Sequence, residues 1–178
     1  NITITDSAGG INIYNSSGAW EIKDITIKNT TYGISGFDSN SDWRVENSII
    51  SGAETAIGAS RSSGDIRLRN VTVTDSADGI DFESSSGAWR IVNTTITNSS
   101  EDPIDAARIT GSPTIRSTTI HNSAEGGIEI TDSTNDVTIQ NTTISDVESG
   151  IEAYSTTGNW TIEHVSVSNA SYRGMSID

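Results

Sequence analysis

Short runs of alternating apolar and polar residues recur along the whole chain at a spacing of 23 residues, lengthened to 24 in two units. The units start at Asn1, Asp24, Asn47, Asn70, Asn93, Ser117 and Asn141, and a partial unit starts at His164. Each carries three runs. The first has the form x-Thr-Ile-x, as in Ile2-Thr3-Ile4-Thr5 and Val71-Thr72-Val73-Thr74. The second follows a glycine, as in Gly79-Ile80-Asp81-Phe82-Glu83 and Gly150-Ile151-Glu152-Ala153-Tyr154. The third is Trp-x-Ile-x, as in Trp20-Glu21-Ile22-Lys23 and Trp89-Arg90-Ile91-Val92. Period-two alternation of β-branched residues bounded by Gly, Ser, Asn and Asp predicts strands. A repeat of this length predicts a solenoid, in which one unit cannot bury its apolar face alone.

Three strands per unit make one rung of a coil. Equivalent strands then stack into three parallel sheets, with about 4.8 Å between rungs. The expected architecture is all-β, a single-stranded coil of about eight rungs filling residues 1–178 as one domain. The bias of β-x-β connections makes it right-handed. The columns Ile4 to Val167, Ile11 to Met175 and Ile22 to Ile162 are assigned to the core, and Trp20, Trp43, Trp89 and Trp160 to one inward column beside them. Asn and Asp fill two turn columns, one from Asn1 to Asn141 and one from Asp6 to Asn169 in which Gly52 is the exception. Stacked amides there can bond one another along the coil. Gly10, Gly33, Gly79, Gly127, Gly150 and Gly174, each preceding the second strand, are expected at positive φ.

The string Asn141-Thr142-Thr143-Ile144-Ser145-Asp146, followed by Ser149-Gly150-Ile151-Glu152-Ala153-Tyr154-Ser155, resembles the parallel β-helix repeat of NosD-like proteins, pectate-lyase-like enzymes and many surface proteins. The resemblance runs over essentially the whole chain and implies a right-handed parallel β-helix. It implies no single function, because that fold hosts lyases, hydrolases, epimerases, phage spikes, adhesins and inert stalks.

Composition narrows the field. Hydrophobic residues make up 33% and aromatics 6%, which suits a narrow solenoid core. There is no cysteine, so disulfides and thiolate metal sites are excluded. No apolar run is long enough to cross a bilayer as a helix. The net charge of −14 argues against nucleic acid as a partner. High acid content with only two lysines, Lys23 and Lys28, is similar to the composition of halophilic proteins. The chain starts inside a strand and stops inside a unit, so flanking domains or partner chains are expected to cap both ends, as solenoids require.

The chemistry-bearing residues concentrate on the outward side of the second strand, where Asn12, Ser35 and Gly58 give way to Asp81, Asp105, Glu129 and Glu152. Asp78, Glu83, Glu101, Asp102, Glu125 and Glu148 lie beside them, and both one-residue insertions fall nearby. Three readings are open: a hydrated acidic face, a calcium site built from Asp81, Asp105 and Glu129, or a catalytic site. Stacked carboxylates one rung apart suit retaining glycoside hydrolysis and two rungs apart inverting hydrolysis. The β-helix resemblance implies that pectinolytic carboxylates and calcium ligands would lie on this sheet. Against that, a lyase needs a base, and only Arg108 is close in register; the polygalacturonase-like Asn-Thr-Asp, Asp-Asp, Gly-His-Gly and Arg-Ile-Lys motifs are missing.

Other columns carry weaker signals. Paired threonines on the first sheet resemble an ice-binding array but are broken by Lys28, Ile49 and His121. Arg44, Arg67 and Arg90 stack on the third sheet, where Glu21 and Glu46 predict cross-strand ion pairs. Of nine Asn-x-Ser/Thr sequons, Asn15 and Asn159 are the expected exposed glycan acceptors. With one Met and no Cys, a copper ligand set is lacking. The combined expectation is a non-catalytic, secreted or cell-surface module acting as a rigid spacer, adhesion or carbohydrate-contact domain, with a polysaccharide or glycan as partner. It requires no cofactor, and calcium is the one it would take. The alternative is a polysaccharide lyase or glycoside hydrolase on the acidic face.

Overall fold

The computed structural model describes residues 1–178, which form sixteen β-strands and no helix. All strand pairings are parallel, and equivalent residues of successive rungs face each other. The first sheet aligns Ile4, Ile27, Ile50, Val73, Ile96, Ile120, Ile144 and Val167. The second aligns Ile11, Ile34, Ile57, Ile80, Ile104, Ile128, Ile151 and Met175. The third aligns Ile22, Val45, Leu68, Ile91, Ile115, Ile139 and Ile162. These are the predicted core columns, and their inner members are fully buried. Burial fails only in the end rungs, where Ile2, Trp20, Met175 and Ile177 are exposed.

Each rung turns three corners, and each corner carries one residue in the left-handed region. One column runs through Asp24, Asn47, Asn70, Asn93, Ser117, Asn141 and His164. The next runs through Asp6, Asn29, Gly52, Asp75, Asn98, Asn122, Asp146 and Asn169. The third, through Asn15, Asp38, Arg61, Ser84, Arg108, Asp132 and Ser155, has no sequence consensus strong enough to predict it. Asn and Asp tolerate this conformation best among non-glycine residues, and Gly52 (φ 65°) meets the same demand without a side chain. At the first two corners that residue replaces a loop, so predicted strands fuse across it, as in Ile2–Tyr14, Ile25–Phe37 and the 18-residue Trp43–Ser60, whereas a short loop follows the third corner residue before each third-sheet strand.

The amide ladders form as expected. Asn29 Nδ2 donates to Asp6 Oδ1 at 2.9 Å, Asn70 to Asn47 at 3.0 Å, Asn98 to Asp75 at 2.8 Å and Asn122 to Asn98 at 2.9 Å. The residue after each corner points inward and is often a hydroxyl. Ser48, Ser62, Ser85, Thr94, Thr118 and Thr142 each donate back to the carbonyl two residues before. That bond satisfies these hydroxyls inside the core, whereas Thr30 and Ser99, each following a corner of the second column, are buried without a partner.

The glycines before the second strand correct one expectation. Gly10, Gly33, Gly79, Gly127, Gly150 and Gly174 do not have positive φ. Through most of the column they are small because the neighbouring rung's backbone carbonyl sits where a Cβ would go, as the Gly33 carbonyl does for Gly10 and the Pro103 carbonyl for Gly79. Close approach, not dihedral freedom, selects them. The tryptophan column behaves as predicted inside the coil. Trp43 and Trp89 are buried, the latter with its ring centroid 4.6 Å from Phe82. Gly36 opens the space that the Trp43 indole fills.

Candidate functional site: the outer face of the second sheet

The second sheet presents Asn12, Ser35, Gly58, Asp81, Asp105, Glu129 and Glu152 outward in one unbroken column. A flat parallel sheet forces this, since each outward residue stacks directly on its equivalent one rung away. The four sequence-predicted carboxylates Asp81, Asp105, Glu129 and Glu152 are thus neighbours in consecutive strands. They do not all serve one hollow. Asp81 borders a cavity of about 320 Å³ whose other walls are Tyr32, Ser35, Phe37, Gly58 and Ser60. Glu129 and Glu152 border a smaller one of about 170 Å³ with Asp102, Glu125, Tyr154 and Tyr172.

Partial burial among like charges raises the carboxyl pKa values here. Burial, then the carboxylates of Glu101 and Asp81, push Asp78 up to about 7. Burial, then Asp102 and Asp105, push Glu129 to about 7. Asp81 rises to about 6 through burial and its neighbour Asp105. Asp102 also reaches about 6, although the Gly126 N–H donates to it at 2.8 Å and partly opposes the burial. Asp105 is raised by burial more than the Ala106 N–H lowers it. Such groups can share protons near neutrality. No three acidic or histidine side chains converge at metal-ligand spacing, because stacked carboxylates stand in a row rather than around a point.

The cations near this face are already engaged. Arg108, the one basic residue the register had placed here, contacts Glu83 and donates to Ser84 Oγ at 3.3 Å. A second one was missed. Arg173 lies 3.6 Å from Glu152 and 4.5 Å from the ring centre of Tyr172, while Tyr154 donates to Glu152 at 2.8 Å. Its position follows from a third one-residue insertion, in the last rung: Val147 pairs with Ala170 but Ser149 with Arg173. The two predicted insertions fall between the first and second sheets as expected, since Thr74 pairs with Thr97 at the 23-residue offset while Asp81 pairs with Asp105 at 24.

At the opposite end of the same face the aromatic residues were unassigned by sequence. Tyr14 stacks on Phe37 at 5.6 Å, and the Arg61 guanidinium covers Phe37 at 3.8 Å while pairing with Asp38 at 2.7 Å. That column is a structural stack along the coil. Tyr32 is different: its ring is 48% exposed and forms a side of the larger hollow.

The remaining sequence-predicted positions are dispersed. Asn15 and Asn159 are both exposed, with the Asn159 amide bonded to Asp136 at 3.1 Å. The outward threonines of the first sheet are interrupted by Lys28, Ile49 and His121, and His121 Nδ1 lies 3.0 Å from both Ser145 Oγ and Asp146 Oδ2. On the third sheet the expected ion pairing is only partial. Arg44 lies 3.9 Å from Glu21 and 3.8 Å from Glu46, Arg67 reaches only Asp65 at 3.3 Å, and Arg90 has no acidic partner.

Among known families, the model of the right-handed β-helix region matches residues 55–178, and the chain belongs to that family. This establishes the right-handed coil. No curated protein matches the sequence. Among solved structures the chain is similar to PfbA, a surface adhesin of Streptococcus pneumoniae, at 12% identity and a TM-score of 0.51, over 99% of this chain and 61% of that one. The chain therefore spans less than two thirds of that adhesin's structure. A plasmid-mediated fluoroquinolone resistance protein, QnrB1, aligns at 12% identity over 97% of this chain and 92% of its own, with a TM-score of 0.29.

Proposed function

We propose that this right-handed β-helix is a rigid, non-catalytic module of a secreted or cell-surface protein that contacts a glycan through the larger hollow on its second sheet. The observation carrying the proposal is the composition of that hollow. It has an exposed aromatic side, Tyr32, a floor of Ser35 and Gly58, and two carboxylates, Asp81 and Glu83, at one end. A pyranose has an apolar C–H face that stacks on an aromatic ring and hydroxyls that donate to carboxylates. A cavity of about 320 Å³ is in the range of small-ligand sites. Membership of the β-helix family and the fold likeness to an adhesin support a surface role.

The acidic stack supports a second reading, a polysaccharide lyase or glycoside hydrolase, through its raised pKa values alone. Its nearby arginines, Arg108 and Arg173, are bound to Glu83 and Glu152 and offer no free base. The two readings separate in one screen of uronate and neutral polysaccharides, scored for binding and for reducing ends and unsaturated products. Binding of a neutral polysaccharide without turnover, weakened by Tyr32→Ala at unchanged melting temperature, is the expected result, since Asp81 and Glu83 in the hollow repel a uronate. Cleavage lost in Asp81→Asn, Asp105→Asn or Glu129→Gln would replace the proposal with the enzyme. Binding indifferent to Tyr32→Ala would remove the hollow from it.

A further inference from the structure

The ten basic residues of this acidic chain are not spread over its surface. Six of them, Lys23, Arg44, Arg67, Arg69, Arg90 and Arg116, lie on the outer face of the third sheet. The outward pairs run Glu21 and Lys23, Arg44 and Glu46, Arg67 and Arg69, Arg90 and Val92, then Thr114 and Arg116 in successive rungs. In the first two rungs acid and base alternate, and they interlock: Lys23 lies 2.7 Å from Glu21 and 3.6 Å from Glu46, and Arg44 bridges the same two carboxylates. In the next three rungs the acids disappear. Arg67 has only Asp65 at the corner, and Arg69, Arg90 and Arg116 have no carboxylate partner. All four are exposed.

This arrangement opposes the stability of the coil. Arg67 and Arg90 are direct partners in adjacent strands, and like charges so placed repel. A chain with 24 acidic residues, which neutralises the same face one rung earlier, leaves them unneutralised here. An external anion removes the repulsion. We propose that the third-sheet face of rungs three to five binds an anionic polysaccharide, one bearing carboxylate or sulfate groups.

The local shape and chemistry favour that class. Arg44, Arg67, Arg69, Arg90 and Val92 line a shallow hollow of about 320 Å³, with Glu46, engaged by Lys23 and Arg44, at its edge. Planar guanidinium forks match carboxylate and sulfate oxygens two at a time. Val92, between Arg69 and Arg116 in its column, gives a sugar ring an apolar contact. Further along, Thr138, Gln140 and Thr161 continue the strip with neutral hydrogen-bonding groups. The basic patch extends over three rungs, roughly 10 Å along the axis, and is bounded by Glu46 at one end and Glu163 at the other. A single glycan chain fits between them. Duplex nucleic acid would bring further phosphates against those carboxylates and against a net charge of −14.

The test is titration of the whole chain with polygalacturonate, dextran sulfate, unmodified dextran and duplex DNA. The expected result is binding to one or both charged glycans and none to dextran. Affinity should fall about tenfold or more in Arg67→Gln/Arg90→Gln and on raising salt from about 0.05 to about 0.5 M. Arg173→Gln, far from the patch, should bind as the parent does, and so should Tyr32→Ala, which keeps this site separate from the hollow on the second sheet. The double variant should melt no lower than the parent, since it loses a repulsive pair. Which charged glycan binds tells carboxylate from sulfate recognition. Equal binding of dextran, undiminished binding by the double variant, or no binding of either charged glycan overturns the proposal. Tighter binding of duplex DNA overturns the ligand class. Salt-sensitive self-association that the double variant loses, in the absence of glycan binding, gives the face instead to the acidic side of a second copy.

Discussion

Rungs one to three and rungs four to seven of the second sheet share one inward column, Ile11 to Ile151, and differ most outside. The early rungs expose Asn12, Ser35 and Gly58, small neutral residues flanked by Tyr32 and the Tyr14–Phe37 stack. The later rungs expose Asp81, Asp105, Glu129 and Glu152, and partial burial raises the pKa of the first three. Period-two alternation gives core and surface to alternate residues, so the two are written independently. The coil tolerates a neutral strip and a self-repelling one on the same scaffold because the isoleucines, corners and ladders beneath are the same.

The most damaging way to break the comparison is to strike what the halves share. Ile128→Asp, in the acidic half, and Ile57→Asp, in the neutral half, should each cost about 4 kcal/mol or more, because a buried charge finds neither water nor partner. Limited proteolysis should cut first around the substituted rung. Similar losses in both variants would show a core indifferent to its surface; a much larger loss for Ile128→Asp would show that the acidic rungs have less stability to spare.

Proton uptake should separate the halves. Asp78 and Glu129 titrate near 7, and Asp81 and Asp102 near 6, all above ordinary carboxylates. A raised carboxyl pKa means that the folded state holds a proton the unfolded chain has released. The stability it lends is therefore greatest at low pH and is lost as pH climbs through the folded values. Melting should occur several degrees higher near pH 5 than near pH 8, with about 2–4 °C for each kcal/mol in a chain of this size. Asp81→Asn with Glu129→Gln should flatten the profile, and a flat profile in the parent would refute the assignment.

Salt offers a gentler test. Molar sodium chloride should raise the melting temperature by screening the acidic rungs. Millimolar calcium should add nothing beyond matched ionic strength if the carboxylates act as a row, and should add a distinct rise, removed by Asp105→Asn with Glu129→Gln, if they gather a cation. The smallest expected effect lies on the neutral side. Gly52 interrupts the amide ladder next to Asn29 at φ 65°. Gly52→Asn extends the ladder and restricts the unfolded chain, but the left-handed φ and a Cβ 2.8 Å from Asn29 Oδ1 oppose that gain, so the denaturant midpoint should move by no more than about 0.5 kcal/mol in stability.

The core was legible in the sequence because each inward position repeats: an isoleucine at 23-residue spacing stays an isoleucine for eight rungs in the first sheet, apart from two valines. The outward acidic column was legible for the same reason. The third corner was not, because a left-handed residue needs only a tolerant backbone, and Asn15, Arg61 and Ser84 share no chemistry. The glycines before the second strand were misjudged because sequence shows that a side chain is absent, not whether a dihedral or a neighbouring carbonyl forbids it. Arg173 was missed although Gly174 and Met175 were placed in register, because it reaches the face from the residue before the glycine column, opposite Ser149, and not from the outward column itself. Tyr32 gave no signal, since the column holding it contains Gly9, Thr55 and Asp78 rather than further aromatics.

The all-parallel stacking has a mechanical consequence. The hydrogen bonds between rungs point along the coil axis, and the first and last rungs form its opposite ends. A pull between those ends loads the bonds of all three sheets at a rung boundary together, so no single strand can peel away before its neighbours share the strain. Sideways force on one corner loads far fewer bonds. Such a rod is stiff under tension along its length and yields one turn at a time when unwound from an end, much as a coiled spring holds its pitch until its last loop is lifted free.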